Sequence, residues 1–310
     1  MSRASVVAML VAAEIVIVGM ALFAIGHGRA SLAAGLHHVD FAASPIAPLE
    51  AGATPHVVVD DADSRVRVGV SGDSLVHVRD LTQIRGGVFS NTTYPQLHVA
   101  RTSDGVSIER ARVPDLSIGI FGFSTQSIEV DVPSAARLEI ARCSGADVDG
   151  LTGAVSVHSV DGHITLTDLQ GTVDARSDDG YLKATNVRGD RLAMQSNDGH
   201  LSLDRVAVTS LSATTHDGRI EAGDLSVARD ATLQTGDGPM LVSLSPNADL
   251  TIDASTRDGH INVDGNSSSS DDDSAQRTVR LGAGTARMTL NTGDGSIHIK
   301  TNGELQSYGH

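Results

Sequence analysis

The sequence predicts an all-β protein, a β-solenoid (β-helix-like) of roughly 20-residue repeats, preceded by one N-terminal transmembrane helix. Seven segments repeat one phrase, in which apolar and polar residues alternate, a Ser or Thr precedes Asp-Gly, and a second alternation follows. Successive Asp-Gly pairs lie 18, 19, 19, 20, 21 and 36 residues apart. A period near twenty indicates one supersecondary unit per repeat, stacked on its neighbours. An apolar run at the N-terminus predicts the helix.

The apolar run extends from Ala4 to Ile25 and is interrupted by Glu14 and Gly19. As a helix it would span about 33 Å, enough to cross a hydrocarbon core. Because cleaved signals usually have apolar regions of about 7–15 residues, we interpret residues 1–27 as an uncleaved signal anchor. Cleavage near GRASLAAG, with secretion of the body, is the alternative. Glu14 either pairs with a partner helix or is tolerated near one leaflet.

Composition divides the rest of the chain into a linker, a repeat domain and a tail. Residues 28–55 are rich in small residues without a sustained period, which predicts a linker. Residues 56–302 are predicted to form the solenoid, with LTQIRGGVFSNTTYP as a longer loop. Residues 266–276 form a Ser/Asp-rich insertion that is expected to be a disordered loop, and residues 303–310 form the tail. We expect the first residues and the tail to cap the exposed strand edges.

The repeat phrase assigns each residue to a face of the coil. In the copy that begins at Val155, the side chains of Val155, Val157, Ser159, Ile164 and Leu166 are predicted to face inward. Coils stacked at about 4.8 Å would pair their backbones. Asp-Gly is predicted to form the corner, because Gly tolerates positive φ and Asp bonds its own backbone. A sandwich of independent hairpins is the alternative, which the regular period disfavours. The predicted structural turn residues are Asp161, Gly162, Asp179, Gly180, Asp198, Gly199, Asp217, Gly218, Asp237, Gly238, Asp258, Gly259, Asp294 and Gly295.

Composition restricts the classes of partner and chemistry. Aromatic residues make up 3% of the chain and Trp is absent, which suits a thin core of Val, Ile, Leu and Ala. The net charge of -15 argues against a nucleic-acid partner, since phosphate binding needs a basic surface. Cys143 is the one cysteine, which excludes an internal disulfide framework. Its surroundings, EIARCSGADVDG, lack the His partner and positive setting of a nucleophile, so we interpret it as a half-buried free thiol.

A stretch near the middle of the chain carries a family resemblance. IEVDVPSAARLEIARCSGADVDGLTGAVSVHSVDGHITL, with a valine-proline strand end followed by Ser/Asp-Gly phrases, resembles the bacterial putative-adhesin family of β-solenoid domains. The resemblance covers roughly residues 128–299 and extends more loosely from His56. It implies a β-solenoid fold and an adhesin-like role without a defined ligand, and it brings no catalytic residues. The acidic insertion near Asp271 departs from the regular array.

The residue after each Asp-Gly is predicted to lie outward, so that these residues form one column. An edge of His, Tyr and Arg could stack on and hydrogen-bond to a sugar or a peptide. A shared zinc site is disfavoured, because His163 and His200 are two coils, about 10 Å, apart, whereas zinc–ligand bonds are about 2 Å. The column consists of His163, Tyr181, His200, Arg219, Pro239, His260 and Ser296.

The recurring Asp residues leave Ca²⁺ open as the one candidate cofactor, because oxygen ligands bind calcium. The run Asp271, Asp272 and Asp273 is the best-placed group for it, with a solvated loop as the alternative. Calcium-binding β-rolls, however, follow a nine-residue glycine-rich phrase that is absent here. Turn formation explains the same Asp residues without an ion.

The sequence therefore predicts a membrane-anchored or exported bacterial cell-surface protein, with its body in the cell envelope outside the cytoplasm. The solenoid is interpreted as a non-catalytic, adhesin-like binding or structural module. Its predicted partners are the membrane, through the N-terminal helix, and a glycan or protein ligand on a solenoid face. A polysaccharide-acting β-helix enzyme is one alternative, but it would need paired carboxylates in a cleft, and the acids here lie at turns. An envelope-stress sensor accessory protein is the other alternative.

Overall fold

The computed structural model of the chain describes residues 38–87, 95–111, 121–268 and 275–301. Regular secondary structure in these residues consists of strands, which confirms the all-β prediction for this part of the chain. None of these residues belongs to a helix of the length and apolarity that a membrane crossing requires. The predicted anchor, residues 1–27, lies outside the described residues.

The strands, in chain order, are β1 (His38–Ala42), β2 (Leu49–Glu50), β3 (His56–Asp60), β4 (Arg65–Val70), β5 (Leu75–Asp80), β6 (Gln83–Gly87), β7 (His98–Arg101), β8 (Gly105–Glu109), β9 (Phe121–Thr125), β10 (Ser127–Val132), β11 (Arg137–Cys143), β12 (Gly145–Asp149), β13 (Val155–Ser159), β14 (Ile164–Thr167), β15 (Gln170–Ser177), β16 (Leu182–Thr185), β17 (Arg188–Ser196), β18 (Leu201–Thr215), β19 (Ile220–Thr235), β20 (Met240–Leu244), β21 (Leu250–Thr256), β22 (Ile261–Val263), β23 (Asn266–Ser268), β24 (Ala275–Leu281), β25 (Ala286–Thr292) and β26 (Ile297–Lys300).

The first of two compact units comprises Met1–Ala42, Gln83–Tyr94 and Val113–Ser124. Its described residues form a three-stranded sheet in the order β1, β6, β9, in which β1 and β6 are antiparallel. Two segments that the sequence analysis assigned to the solenoid therefore belong to this unit. Neither has the repeat phrase, which is the sequence signal that distinguishes them.

The second unit, Ala43–Thr82, Pro95–Arg112 and Thr125–His310, contains the repeats. Each coil has two main strands, here called A and B, which are joined by the Asp-Gly corner; in the coil that begins at Val155, A is β13 and B is β14. A strands pair in parallel and in register, as Val155 with Val173 on β15. B strands do the same, as Ile164 with Leu182 on β16. Equivalent residues therefore form columns along the stack, which is a β-solenoid-like arrangement.

The core lies between the A and B strands. The five residues predicted to face inward in the coil of β13 and β14 are 0–2% exposed, and burial alternates along β13 as the pattern requires. Because each inward side chain is covered above and below by its equivalents, small aliphatic residues fill the core without large rings. Truncating one of the larger members, Leu192, to Ala would cost about 2–5 kcal/mol.

The C-terminal coil is out of sequence order. β25 pairs in parallel with β19 on one side and with β21 on the other. β26 likewise lies between β20 and β22. The coil formed last in the chain is thus inserted between two coils that are consecutive in sequence. This insertion explains the spacing of 36 between Asp258 and Asp294.

The opposite end has the same arrangement. β3 lies between β8 and β11, and β4 lies between β10 and β12, all in parallel. The first coil in the chain is therefore internal, and a coil made later lies outside it. Both ends of the stack depend on contacts between segments that are distant in sequence.

Antiparallel strands close both ends of the stack. β24 pairs antiparallel with β21, and β23 with β22. At the other end β7 pairs with β8, β5 with β10 and β2 with β5, all antiparallel. Reversing the last strand interrupts the parallel ladder that another chain would extend. Internal segments form these caps, and the predicted tail, residues 303–310, lies outside the described residues.

Three segments differ from the sequence-based expectation. The linker, residues 28–55, contains β1 and β2. The insertion, residues 266–276, contains β23 and the start of β24, while 269–274 lie outside the described residues. The expected loop that starts at Leu81 contains β6. All three lack the repeat phrase and pair antiparallel, so the period near twenty carries no signal for them.

Candidate functional site

The fourteen predicted turn residues lie between an A strand and a B strand. Asp161 and Gly162, for example, separate β13 from β14, and Asp294 and Gly295 separate β25 from β26. In stacking order the coil of Asp294 comes before that of Asp258, because a Cβ on Gly295 would meet Gly238 and one on Gly259 would meet Gly295. The Asp-Gly pairs thus form a continuous ridge in an order that differs from the sequence.

The corner glycines are needed for a different reason from the one expected. None of the seven has a positive φ. Instead, a Cβ on Gly162, Gly180 or Gly199 would lie 1.7, 2.0 or 1.9 Å from a backbone carbonyl oxygen of the preceding coil. Close approach of stacked backbones, not the left-handed conformation, therefore requires glycine here.

A buried hydroxyl lies three residues before each corner glycine. Ser196 Oγ accepts a hydrogen bond from Gly199 N at 3.1 Å and donates one to Gly180 O of the preceding coil, also at 3.1 Å. The hydroxyl joins its own corner to the one before it, which satisfies buried polar groups. Sequence analysis placed Ser159 inward but missed this role. The column consists of Ser159, Ser177, Ser196, Thr215, Thr235, Thr292 and Thr256.

The corner after five of the B strands contains a left-handed residue other than glycine. The acidic side chains of these residues accept bonds from neighbouring coils: Ser245 Oγ donates to Asp224 Oδ1 at 2.7 Å and Thr301 Oγ1 to Asp264 Oδ2 at 2.6 Å. The Asn186 amide donates to Asp168 Oδ1. An Asp or Asn recurring near the ends of B strands is the signal that could have identified this corner. The residues are Asp168, Asn186, Arg205, Asp224 and Asp264, with φ between 48° and 54°.

The predicted outward column contains a continuous ladder of rings. The ring centroids of His163 and Tyr181 are 5.9 Å apart and nearly perpendicular, and those of Tyr181 and His200 are 5.3 Å apart and stacked at 20°. Tyr181 and His200 are half-buried and His163 is exposed. We call these three residues the ring ladder. In parallel register beside it, the B strands present Thr165, Lys183 and Ser202.

Two charged side chains, Glu221 and Arg219, lie near His200 at the C-terminal end of the ring ladder. His200 Nε2 is 3.7 Å from Glu221 Oε2, and Arg219 Nη1 is 3.0 Å from Glu221 Oε1. Burial lowers the pKa of His200, and the attraction of Glu221 opposes this effect while Arg219 adds to it. His200 therefore favours its neutral form, in which one ring nitrogen donates and the other accepts.

The remaining column members continue along the ridge. His260 Nδ1 is 3.0 Å from Ser296 Oγ, and its ring centroid is 5.5 Å from that of His298. Burial is the largest cause that lowers the pKa of His298, and charge repulsion from His260 and Lys300 lowers it further. Over the described ranges, no three His, Cys, Asp or Glu side chains are grouped as metal ligands would be. Asp271, Asp272 and Asp273 lie outside those ranges, so calcium stays a prediction.

Cys143 is in register with Ser159, so it lies at the start of the column of buried hydroxyls. It is buried, and its Sγ is 3.5 Å from His158 O. Burial raises the pKa of the Cys143 thiol, which keeps it protonated and unreactive.

A buried ion cluster lies beside the corner between β3 and β4, at the N-terminal end of the stack. Arg110 Nε is 2.7 Å from Asp61 Oδ2, and its Nη2 is 2.8 Å from Asp80 Oδ2. Nη1 also donates to Pro95 O at 2.9 Å. Burial alone would lower the pKa of Arg110, but its bonds to Asp61 and Asp80 outweigh burial and raise it. The cluster ties together segments next to the points where the chain leaves and re-enters this unit.

Comparison with known proteins places these features in a family. A family model described as Toastrack DUF4097 matches residues 58–300, which confirms the family resemblance inferred from the Ser/Asp-Gly phrases. No curated protein matches the chain. Among solved structures, a putative adhesin from Bacteroides fragilis is 13% identical with a TM-score of 0.42, over 85% of this chain and 96% of that one. A putative cell adhesion protein from Clostridium sporogenes is 9% identical with a TM-score of 0.25, over 86% and 99%.

Proposed function

The chain belongs to the Toastrack DUF4097 family, and from that premise we propose that its solenoid is a non-catalytic, adhesin-like binding module of a bacterial cell-surface protein. The ligand, a glycan or a protein, would contact the outward faces of several coils at once. Each coil would contribute a weak contact, and the regular stack would align these contacts along one ligand.

The ring ladder is the observation that carries the proposal. Two of its three rings are stacked at 5.3 Å, and neighbouring coils hold them in place. Stacked rings turn their edges outward, and the Tyr181 hydroxyl and the imidazole nitrogens of His163 and His200 can hydrogen-bond to a sugar or a peptide. Lys183, Thr165 and Ser202 lie in register beside the ladder and supply donors around it.

The charge of the chain restricts its ligands. Among the described residues, hydrogen bonds lower the pKa of three carboxyl groups: that of Asp73 through His77, that of Asp230 through Arg229 and that of Asp249 through Thr285. The net charge of -15 disfavours a nucleic-acid ligand.

The proposed location is the cell envelope, with the body outside the cytoplasm. It is supported by the apolar run between Ala4 and Ile25, which is long enough to hold the protein in a membrane. Cleavage of that segment would instead release the same body as a secreted protein.

Binding of the full-length chain in detergent to a panel of glycans and matrix proteins, with and without Ca²⁺, tests the proposal. We expect saturable binding to one class without turnover, weakened about tenfold in Tyr181→Ala, which loses the central ring. His158→Ala, which removes an exposed imidazole from the A-strand face, is the matched control and is expected to bind normally. Depolymerisation of a glycan would favour the enzyme instead, and silence across the panel would favour the envelope-stress accessory role.

A further inference from the structure

Twelve neighbouring positions on the outer face of the A strands carry no Asp, Glu, Lys or Arg. They lie at three equivalent positions in four adjacent coils, which register and backbone bonds bring together. The positions, here called the neutral block, are Ala193, Gln195, Asn197, Ser212, Thr214, His216, Thr232, Gln234, Gly236, Thr289, Asn291 and Gly293.

Charged residues surround the neutral block on all sides. The preceding coil has Asp174, Arg176 and Asp178 at the same three positions, and the coil beyond has Asp253 and Arg257. One long edge of the block is bordered by Arg191, Asp230 and Arg287, and the other by Asp198, Asp217, Asp237 and Asp294. Since charged residues make up 20% of the chain and border the block on every side, its neutrality is local.

A shallow groove crosses the block where two glycines are stacked. Gly293 N donates to Gly236 O at 2.7 Å, so the floor is backbone at Gly236, while the Arg257 guanidinium lies over Gly293, with Nη2 2.9 Å from where a Cβ would be. A groove of about 400 Å³ lies there, lined also by Gln234, Asn291 and Arg257. Arg257 Nη2 is 3.2 Å from Asp294 Oδ1, so its charge is compensated. The groove spans the coils of β19, β25 and β21, so it extends one coil beyond the block.

The donor and acceptor groups of the block identify the chemistry that it can bind. Gln234 and Asn291 are in register and exposed, and each planar amide offers two donors and one acceptor oxygen. Side chains of this kind repeat along the axis about every 4.8 Å. The twelve positions of the block carry no Asp, Glu, Lys or Arg for a charged ligand to pair with, and Arg257 in the groove is already paired with Asp294. A protein partner would find none of the large aromatic, Met or Arg anchors that concentrate interface energy.

We infer that the neutral block is a second binding site, separate from the ring ladder, and that it takes an uncharged glycan chain running along the solenoid axis and seated in the groove at Gly236 and Gly293. The inference rests on the proposed binding role and adds a ligand class to it. Hydroxyl groups of the glycan replace water on the amides and on the hydroxyls of Ser212, Thr214 and Thr232, without desolvating a charge.

The test measures binding of three oligosaccharides of equal length to the full-length chain in detergent: a neutral β-glucan, a neutral mannan and a polygalacturonate. We expect at least one neutral probe to bind, and Gln234→Ala/Asn291→Ala to weaken that binding about tenfold, as for the loss of two hydrogen bonds. Asp174→Ala/Arg176→Ala truncates two face positions one coil outside the block, and this matched control is expected to bind within about twofold of wild type. Thermal unfolding verifies that all variants are folded.

Each contrary outcome is distinct. Binding of the polygalacturonate alone, or equal loss in both double variants, would overturn the inference. Loss in Tyr181→Ala with full binding in Gln234→Ala/Asn291→Ala would move the glycan to the ring ladder, which overturns the inference and leaves the proposed function standing. Weaker glycan binding only in Gln234→Ala/Asn291→Ala would support the neutral block as the glycan site, even if Tyr181→Ala changes the binding of no ligand. A chain that binds no neutral probe contradicts the inference, whatever the wider panel shows.

Discussion

At the scale of single residues, the corner glycines determine how closely two coils can stack. The carbonyl oxygen of one corner occupies the space that a Cβ on the next would need, and the buried hydroxyl of Ser196 links the same two corners. The repeated Ser/Thr and Gly are therefore one structural device, in which the glycine permits the approach and the hydroxyl satisfies the polar groups that it buries.

Gly199→Ala is expected to destabilise the solenoid by about 2–4 kcal/mol, because the new Cβ would lie 1.9 Å from Gly180 O and one backbone must move. Gly72→Ala is the control, since no atom lies within 4 Å of its Cβ position, and it should be neutral or stabilising by up to about 1 kcal/mol. Denaturant unfolding measures both. Equal effects at the two sites would contradict the stacking explanation.

Arg110 is the second residue whose position decides stability. Replacing it in Arg110→Met leaves Asp61 and Asp80 buried without their cation, which is expected to cost about 3–5 kcal/mol. Arg176→Met removes an exposed partner of Asp174, and it should change the free energy of unfolding by less than about 0.5 kcal/mol. Thermal unfolding compares the two variants. If Arg110→Met lowers the melting temperature no more than Arg176→Met does, the buried cluster contributes little to stability.

At the scale of elements, the two end coils are assembled from segments that are not neighbours in sequence. β25 and β26 pair on both sides and hold β21 and β22 onto the stack. β19 and β21 supply the A strands of two coils that are consecutive in the chain, yet β25 lies between them. The outer C-terminal coil therefore depends on the last coil for its place.

A chain ending at residue 285 is expected to lose the outer coil as well as the deleted strands. Without β25 and β26, the ladder bonds of β21 and β22 to the stack are absent, while the central coils keep both neighbours. Hydrogen exchange followed by mass spectrometry should show fast exchange at β21 to β24 and unchanged protection at β13 to β17. Retained protection at β21 would show that it can pair directly with β19.

At the scale of the whole molecule, the described solenoid combines a sequential centre with interleaved ends and antiparallel caps. Coils from β11 to β19 stack in chain order, so their contacts have short loops. β3 and β25, by contrast, each pair with strands that are distant in sequence. Since loop closure must precede these non-local contacts, the two kinds of coil should form at different times.

Pulse-labelling hydrogen exchange during refolding checks this order. Amides of β13 to β18 are expected to become protected first, and those of β3, β8, β21 and β25 later. The late phase should be common to both ends, because both need a coil to enter between two others. Simultaneous protection of ends and centre would mean that the interleaved coils form without delay.

The repeat phrase was sufficient to predict the all-β fold, the coil of two strands and the inward residues such as Val155 and Ile164, because alternation and period are local properties of the chain. It also placed the ring ladder, since His163, Tyr181 and His200 follow the same corner. It could not predict the interleaved coils or the caps, because pairing between distant strands leaves no periodic signal. Three coils of the neutral block are consecutive in the chain. Its fourth coil and the groove at Gly236 and Gly293 were decided by tertiary structure alone, because they depend on β25 lying beside β19.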